Sequence, residues 1–154
     1  MAVLLNTNRD TFDVILSIDS ALDTTEEDFK MYQQTMDESF LKFKPGMEPT
    51  RFVMRKVLSF ALAKKVQNEQ VGSNEDGKPT VQLSFINEEV KAALIDIKNP
   101  ADLPQEQWIK YEKDKDGTTS TALMELLISA DLVMELYQAR QRKLNKGSDL
   151  VKKK

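Results

Sequence analysis

The sequence predicts an α+β domain in which a small antiparallel sheet or hairpin packs against about four helices. Three observations predict it. From Thr11 to Ile18, Phe12, Val14, Leu16 and Ile18 fall at alternate positions, the period of a half-buried strand. Around Pro45-Gly46, the runs 40–44 and 50–56 repeat that two-residue alternation. Elsewhere, apolar residues recur every three or four positions, as on amphipathic helices.

Taken in order, the first strand covers residues 11–18 and breaks at Asp19-Ser20. Thr24 then caps a helix whose first turn holds Glu26, Glu27 and Asp28. Those acids suit the positive end of a helix, and Phe29, Tyr32 and Met36 keep helical spacing through about Asp37. The hairpin follows. Pro45 sets the φ of the second turn position and Gly46 supplies the positive φ of a type II turn. Pro49 donates no ladder hydrogen bond, so the returning strand begins near Thr50. Along it Phe52 and Met54 point one way, while Arg51, Val53 and Arg55 point the other and present two cations on one face.

Ser59 caps a second helix ending near Asn68, and residues 72–79 read as an exposed loop by composition. Residues 80–83 suggest a short strand. Ser84 or Asn87 then caps a helix with Ile86, Val90, Ala93, Leu94 and Ile97 on one stripe, stopped by Asn99-Pro100. Leu103 to Tyr111 reads as extended, leading to an Asp116-Gly117 turn. Ser120 opens a helical stretch whose Ala122, Leu123, Met124, Leu126, Leu127 and Ile128 are apolar nearly all round, which predicts full burial. Ser129 or Asp131 caps the last helix, and Gly147 ends it. The chain therefore divides into one compact domain, 1–146, and a basic C-terminal tail, 147–154.

Composition removes several kinds of chemistry. The 154 residues include no cysteine and no histidine. Disulfides, thiolate metal sites and Ser-His or Cys-His nucleophile pairs are therefore all excluded. The five glycines make neither a dinucleotide fingerprint nor a phosphate loop. Glu112 to Gly117 has a calcium-loop flavour. However, Glu112 stands where Asp is wanted, Leu123 stands where the bidentate Glu is wanted, and two lysines interleave. The sequence thus predicts no enzyme, no cofactor and no metal. It also predicts no membrane span and no signal peptide, because its apolar runs are short.

Charge is unevenly distributed within a net of −3. Residues 1–38 carry nine acids against Arg9 and Lys30, and residues 140–154 carry seven bases against Asp149. Ends of opposite sign attract neighbouring copies or simply solvate the termini. Lys152, Lys153 and Lys154 offer electrostatic contact with nucleic acid, but no aromatic residue stands among them. Interaction surface remains. Met31, Met47, Trp108 and Tyr111 are its apolar candidates, although the core is the commoner place for such residues.

Residues 23–37, followed by Leu41-Lys42-Phe43-Lys44-Pro45-Gly46-Met47-Glu48-Pro49-Thr50-Arg51-Phe52-Val53-Met54-Arg55, resemble small morphogenetic or virion proteins of tailed bacteriophages. Val90 to Asn99 and Leu132 to Ala139 are similar to their later helices, so the likeness spans most of residues 20–144. The 72–79 loop and the Lys-rich tail depart from the pattern. The resemblance implies a non-enzymatic component built into the virion, in neck, tail or capsid, and assembled in the host cytoplasm. Its partners would be other virion proteins and further copies of itself. A tail-assembly chaperone that leaves, or a small cytosolic regulatory protein using the basic tail on nucleic acid, are the alternatives. The expected subunit contact is the hairpin with its neighbours: Pro45, Gly46, Met47, Arg51, Arg55 and Trp108.

Overall fold

Phe12 lies opposite Met54 and Val14 opposite Phe52, which sets the register of the sheet. The computed structural model describes residues 11–73, 79–81 and 83–152. Strand β1 (Thr11–Val14) pairs antiparallel with β2 (Arg51–Arg55), and β2 pairs on its other side with β5 (Leu94–Lys98). Five helices surround this sheet: α1 (Glu26–Thr35), α2 (Phe60–Gln70), α3 (Leu83–Ala93), α4 (Thr121–Ser129) and α5 (Val133–Lys152). A separate hairpin of β3 (Val71–Ser73) and β4 (Pro79–Val81) joins α2 to α3. The α+β class expected from sequence is the one found. Residues 74–78 of the expected loop lie outside the described residues.

One face of the sheet supplies the main core. Phe12, Val14, Phe52, Met54, Leu94 and Ile97 are buried there against Val90 and Ala93 of α3, Leu123 and Leu127 of α4, and Leu136 of α5. A second cluster forms where Ile15, Tyr32 and Leu41 meet, flanked by Phe29, Phe40 and Phe43.

Several expected boundaries change, each for a tertiary reason. β1 stops at Val14 rather than residue 18 because its next backbone groups find other partners. The Ile15 N–H donates to the Tyr32 hydroxyl at 3.1 Å, and Glu135 of α5 takes both the N–H and the hydroxyl of Ser17 at 2.7 Å. The cap of α1 is Thr25, whose side chain accepts from the Asp28 N–H at 3.2 Å. Thr24 instead exchanges two 2.8 Å hydrogen bonds with the backbone of Lys42.

That exchange overturns the expected hairpin. Residues 40–44 form no strand with 50–56. They lie against 21–24, with Leu22 bridging Phe43 and Lys44 N–H donating to Ala21 O at 2.8 Å. The Pro-Gly turn itself is present: Gly46 has φ +74° and Met47 N–H closes onto Lys44 O at 3.0 Å. Both edges of β2 are already occupied, by β1 and β5, so the chain before the turn pairs elsewhere.

The largest correction concerns residues 94–98, expected as helix and found as β5. A bulge explains the misreading. The register of β5 on β2 shifts between Val53 and Met54, so that Leu94 and Ile97 both face the core three residues apart. In sequence that spacing continues the helical stripe of Val90 and Ala93. Neither Ser84 nor Asn87 caps α3, which begins at Leu83. At α4 the Ser120 cap holds, its hydroxyl accepting from Leu123 N–H at 3.1 Å. Full burial does not hold: Ala122, Leu126 and Ile128 are exposed, because only one side of α4 meets the core. Asp131 takes a left-handed φ of 60° at the corner before α5. The α5 helix runs through Gly147 to Lys152, so the glycine does not end it, and Lys153 and Lys154 lie outside the described residues.

Candidate functional site

The second face of the sheet carries charged side chains around a buried Val53. Alternation along the strands turns Asp13 of β1, Arg51 and Arg55 of β2, and Asp96 and Lys98 of β5 away from the core. The register sets Arg51 opposite Lys98, a like-charge pair that would repel. Arg51 is drawn the other way. Its guanidinium lies 2.7 Å from Glu38 and 3.5 Å from Asp13. Burial works against its charge, but the bond and field of Glu38, with Asp13, outweigh it and raise the pKa above the ordinary arginine value. Tyr32 lies close behind. Burial pushes its phenol up to about 12, although the hydrogen bond from Ile15 opposes the shift. Lys98 is left exposed, with no ion pair or side-chain hydrogen bond among the described residues.

Beside Arg51 and Lys98 the residues flanking the Pro-Gly turn form one wall of an open groove of about 510 Å³. Asp13, Arg51, Lys98 and Asn99 line its floor side, and Phe43, Met47, Glu48 and Pro49 its turn side. Asn99 is held in place by a two-point clasp, donating to Ile109 O and accepting from Ile109 N–H, each at 3.0 Å. Apolar tips alternating with both signs of charge, on a wide shallow surface, match a polypeptide partner better than an enclosed small molecule.

The expected contact residues are thus partly gathered. Pro45, Gly46 and Met47 are exposed on the turn, and Met47 and Arg51 both line the groove. Arg51 is not a free cation, because Glu38 and Asp13 occupy it. Arg55 shares the sheet face but stands at the other end of β2, roughly 13 Å along the strand. Trp108 is half-buried and spends its indole N–H on Leu103 O at 2.7 Å, away from the groove. Met31 is exposed, whereas Tyr111 is half-buried with its hydroxyl on Leu94 O. Asp13 was legible from strand parity. Lys98 was hidden by the helical reading of its strand.

The loop with the calcium flavour contains a cation of the protein's own. The Lys91 ammonium sits 2.9 Å from Asp114 Oδ2, 2.8 Å from Thr118 Oγ1 and 2.7 Å from Thr119 O, using its three protons. The hydrogen bond from Lys91 holds the Asp114 carboxyl below the usual range. The arrangement fastens the 113–119 turn to α3. No group of three or more acidic, histidine or cysteine ligands occurs among the described residues. Nor is any helix there long and apolar enough to cross a membrane.

No protein-family model, curated protein or solved structure matches the chain.

Proposed function

We propose that this chain is a non-enzymatic structural protein of a tailed-bacteriophage virion, in neck, tail or capsid, working through protein–protein contacts. One observation carries the reading furthest. Met47, Glu48 and Pro49, just past the exposed Pro-Gly turn, wall a mixed apolar and charged groove, and they lie within the same Leu41 to Arg55 stretch that resembles the phage proteins. The groove's mixture of Met47, Phe43 and Lys98 is what a protein partner would engage.

Mass spectrometry of purified particles tests the role. The chain is expected there in a fixed ratio to the other virion proteins. Presence only in infected cells, and never in particles, would replace the virion component with a tail-assembly chaperone. The groove has its own test. Met47→Asp with Lys98→Glu should leave the fold intact, since both side chains are exposed, while lowering incorporation into particles. Arg51→Glu is a poorer probe, because it would set a third carboxylate beside Asp13 and Glu38.

A further inference from the structure

Apart from the groove, large apolar side chains stand exposed at two opposite ends of the sheet. At the end where β1 finishes and β2 starts, Ile18 is 71% exposed beside Asp19 and Leu132. Across the α4–α5 corner from it, Ile128 at 46% and Met134 at 41% flank a shallow pocket with Asp131. Asp131 is exposed, and its carboxylate has no partner among the described residues. At the far end, where β2 finishes, Val57 is 69% and Phe60 86% exposed. Lys56 precedes Val57, and Lys64 follows Phe60 by one helical turn on the same side of α2.

A phenylalanine almost wholly in water at a helix start is unusual, because burying such a ring normally stabilises a fold by roughly 2 kcal/mol or more. Here nothing within the described residues covers it. The two ends are apolar at their centres and opposite in sign at their rims, acidic at one and basic at the other. β2 separates them, and α5 spans the same direction. It starts at Val133 beside the acidic end and reaches the basic end with Arg140, which donates to Arg55 O and Lys56 O.

We infer that the occupant of each end is the other end of a second copy of this chain: Phe60 and Val57 of one protomer seat against Ile18, Ile128 and Met134 of the next. Charge complementarity selects this partner: Lys56 and Lys64 meet the exposed Asp131, and Asp19 adds its charge although the Ala21 and Thr50 N–H groups occupy its two oxygens. Because the two surfaces differ, the contact is heterologous. Repeating it builds a ring or filament rather than a two-fold dimer. The assembly role proposed above is its setting, but the surfaces are distinct from the groove and stand or fall separately.

Phe60→Asp and Met134→Asp test it on the full chain. Both positions lie in the first turn of a helix, where an added carboxylate suits the dipole, so the fold should survive. Circular dichroism and a thermal melt check this. By analytical ultracentrifugation the wild type should form concentration-dependent oligomers, loosened by salt and, on the order of tenfold, by Lys64→Glu. Each Asp variant alone should be monomeric. Mixed in equal amounts, the two should form a dimer and stop there, because one intact pair of surfaces remains between them. A wild type that stays monomeric, an oligomer indifferent to both variants, or a mixture that fails to pair would each overturn the inference. Absence from particles with this pairing intact would remove the virion role and leave the self-association standing.

Discussion

Arg140 and Glu89 face each other at 3.5 Å in the seam between α5 and α3, with both side chains almost entirely out of water. Burial lowers the arginine's pKa and raises the carboxyl's, in each case against the pull of the opposite charge. The pair stays because its geometry is complete. Arg140 donates from Nε to Arg55 O at 3.0 Å and from Nη2 to Lys56 O at 2.9 Å, and Gln141 donates to the free Glu89 oxygen at 2.6 Å. One side chain thereby ties the last helix to the end of the central strand.

Removing that side chain should be costly. Arg140→Met leaves Glu89 charged and unpaired and two carbonyls without a donor, for an expected loss of about 3–5 kcal/mol in urea unfolding. Adding Glu89→Gln should recover part of it by removing the buried charge. A double variant no more stable than the single would show that the unpaired carboxylate is not the source of the loss.

Acid should act on two carboxyls in opposite directions. Asp114 has a folded pKa below its unfolded value, so its contribution is present above roughly pH 4 and is lost as pH falls through the folded value. Glu89 has a folded pKa above its unfolded value. Its contribution is complete below the unfolded value and is lost as pH rises through the folded one. Asp114→Asn should therefore flatten the fall in stability below about pH 4 and lower stability at neutral pH. Denaturant midpoints measured across pH for both proteins read this directly. An unchanged acid slope would remove the Lys91–Asp114 contact from the account.

The bulge in β5 offers a third test. Beside it two hydroxyls donate to Leu94 O: Tyr111 at 2.8 Å and the fully buried Thr119 at 2.9 Å. Thr119→Val should cost roughly 1–3 kcal/mol, and Tyr111→Phe less, because Tyr111 is only half-buried. Together they should cost more than their sum, since after either single change the other hydroxyl still covers the carbonyl. Additive losses in urea unfolding would mean that another group satisfies Leu94 O.

These contacts show where sequence reading stops. Ser120 and Ser59 were legible as helix caps, because a cap bonds only to its own next residues. The Pro45-Gly46 turn was legible for the same reason: proline and glycine set their own dihedrals. Phe12, Val14, Phe52 and Met54 were assigned to one side of their strands by parity alone. In the candidate groove Met47, Arg51 and the turn were expected together, and Met47 and Arg51 do line it. Lys98 and Asn99 could not be placed, because a bulge and a helix present the same three-residue spacing at Leu94 and Ile97.

By itself the sequence determined the α+β class, the turn, the caps and the want of any histidine or thiol for chemistry. All of these depend on composition or on neighbours a few residues apart. The tertiary structure alone decided that β2 lies between β1 and β5, so that residues 40–44 turn back to 21–24. It also decided that Leu94 begins a strand, and that Phe60 and Met134 stand at opposite ends of the sheet. Strand partners are chosen by hydrogen bonds between residues some forty apart in sequence, where local preference has no say. The ends of the sheet exist only once that choice is made.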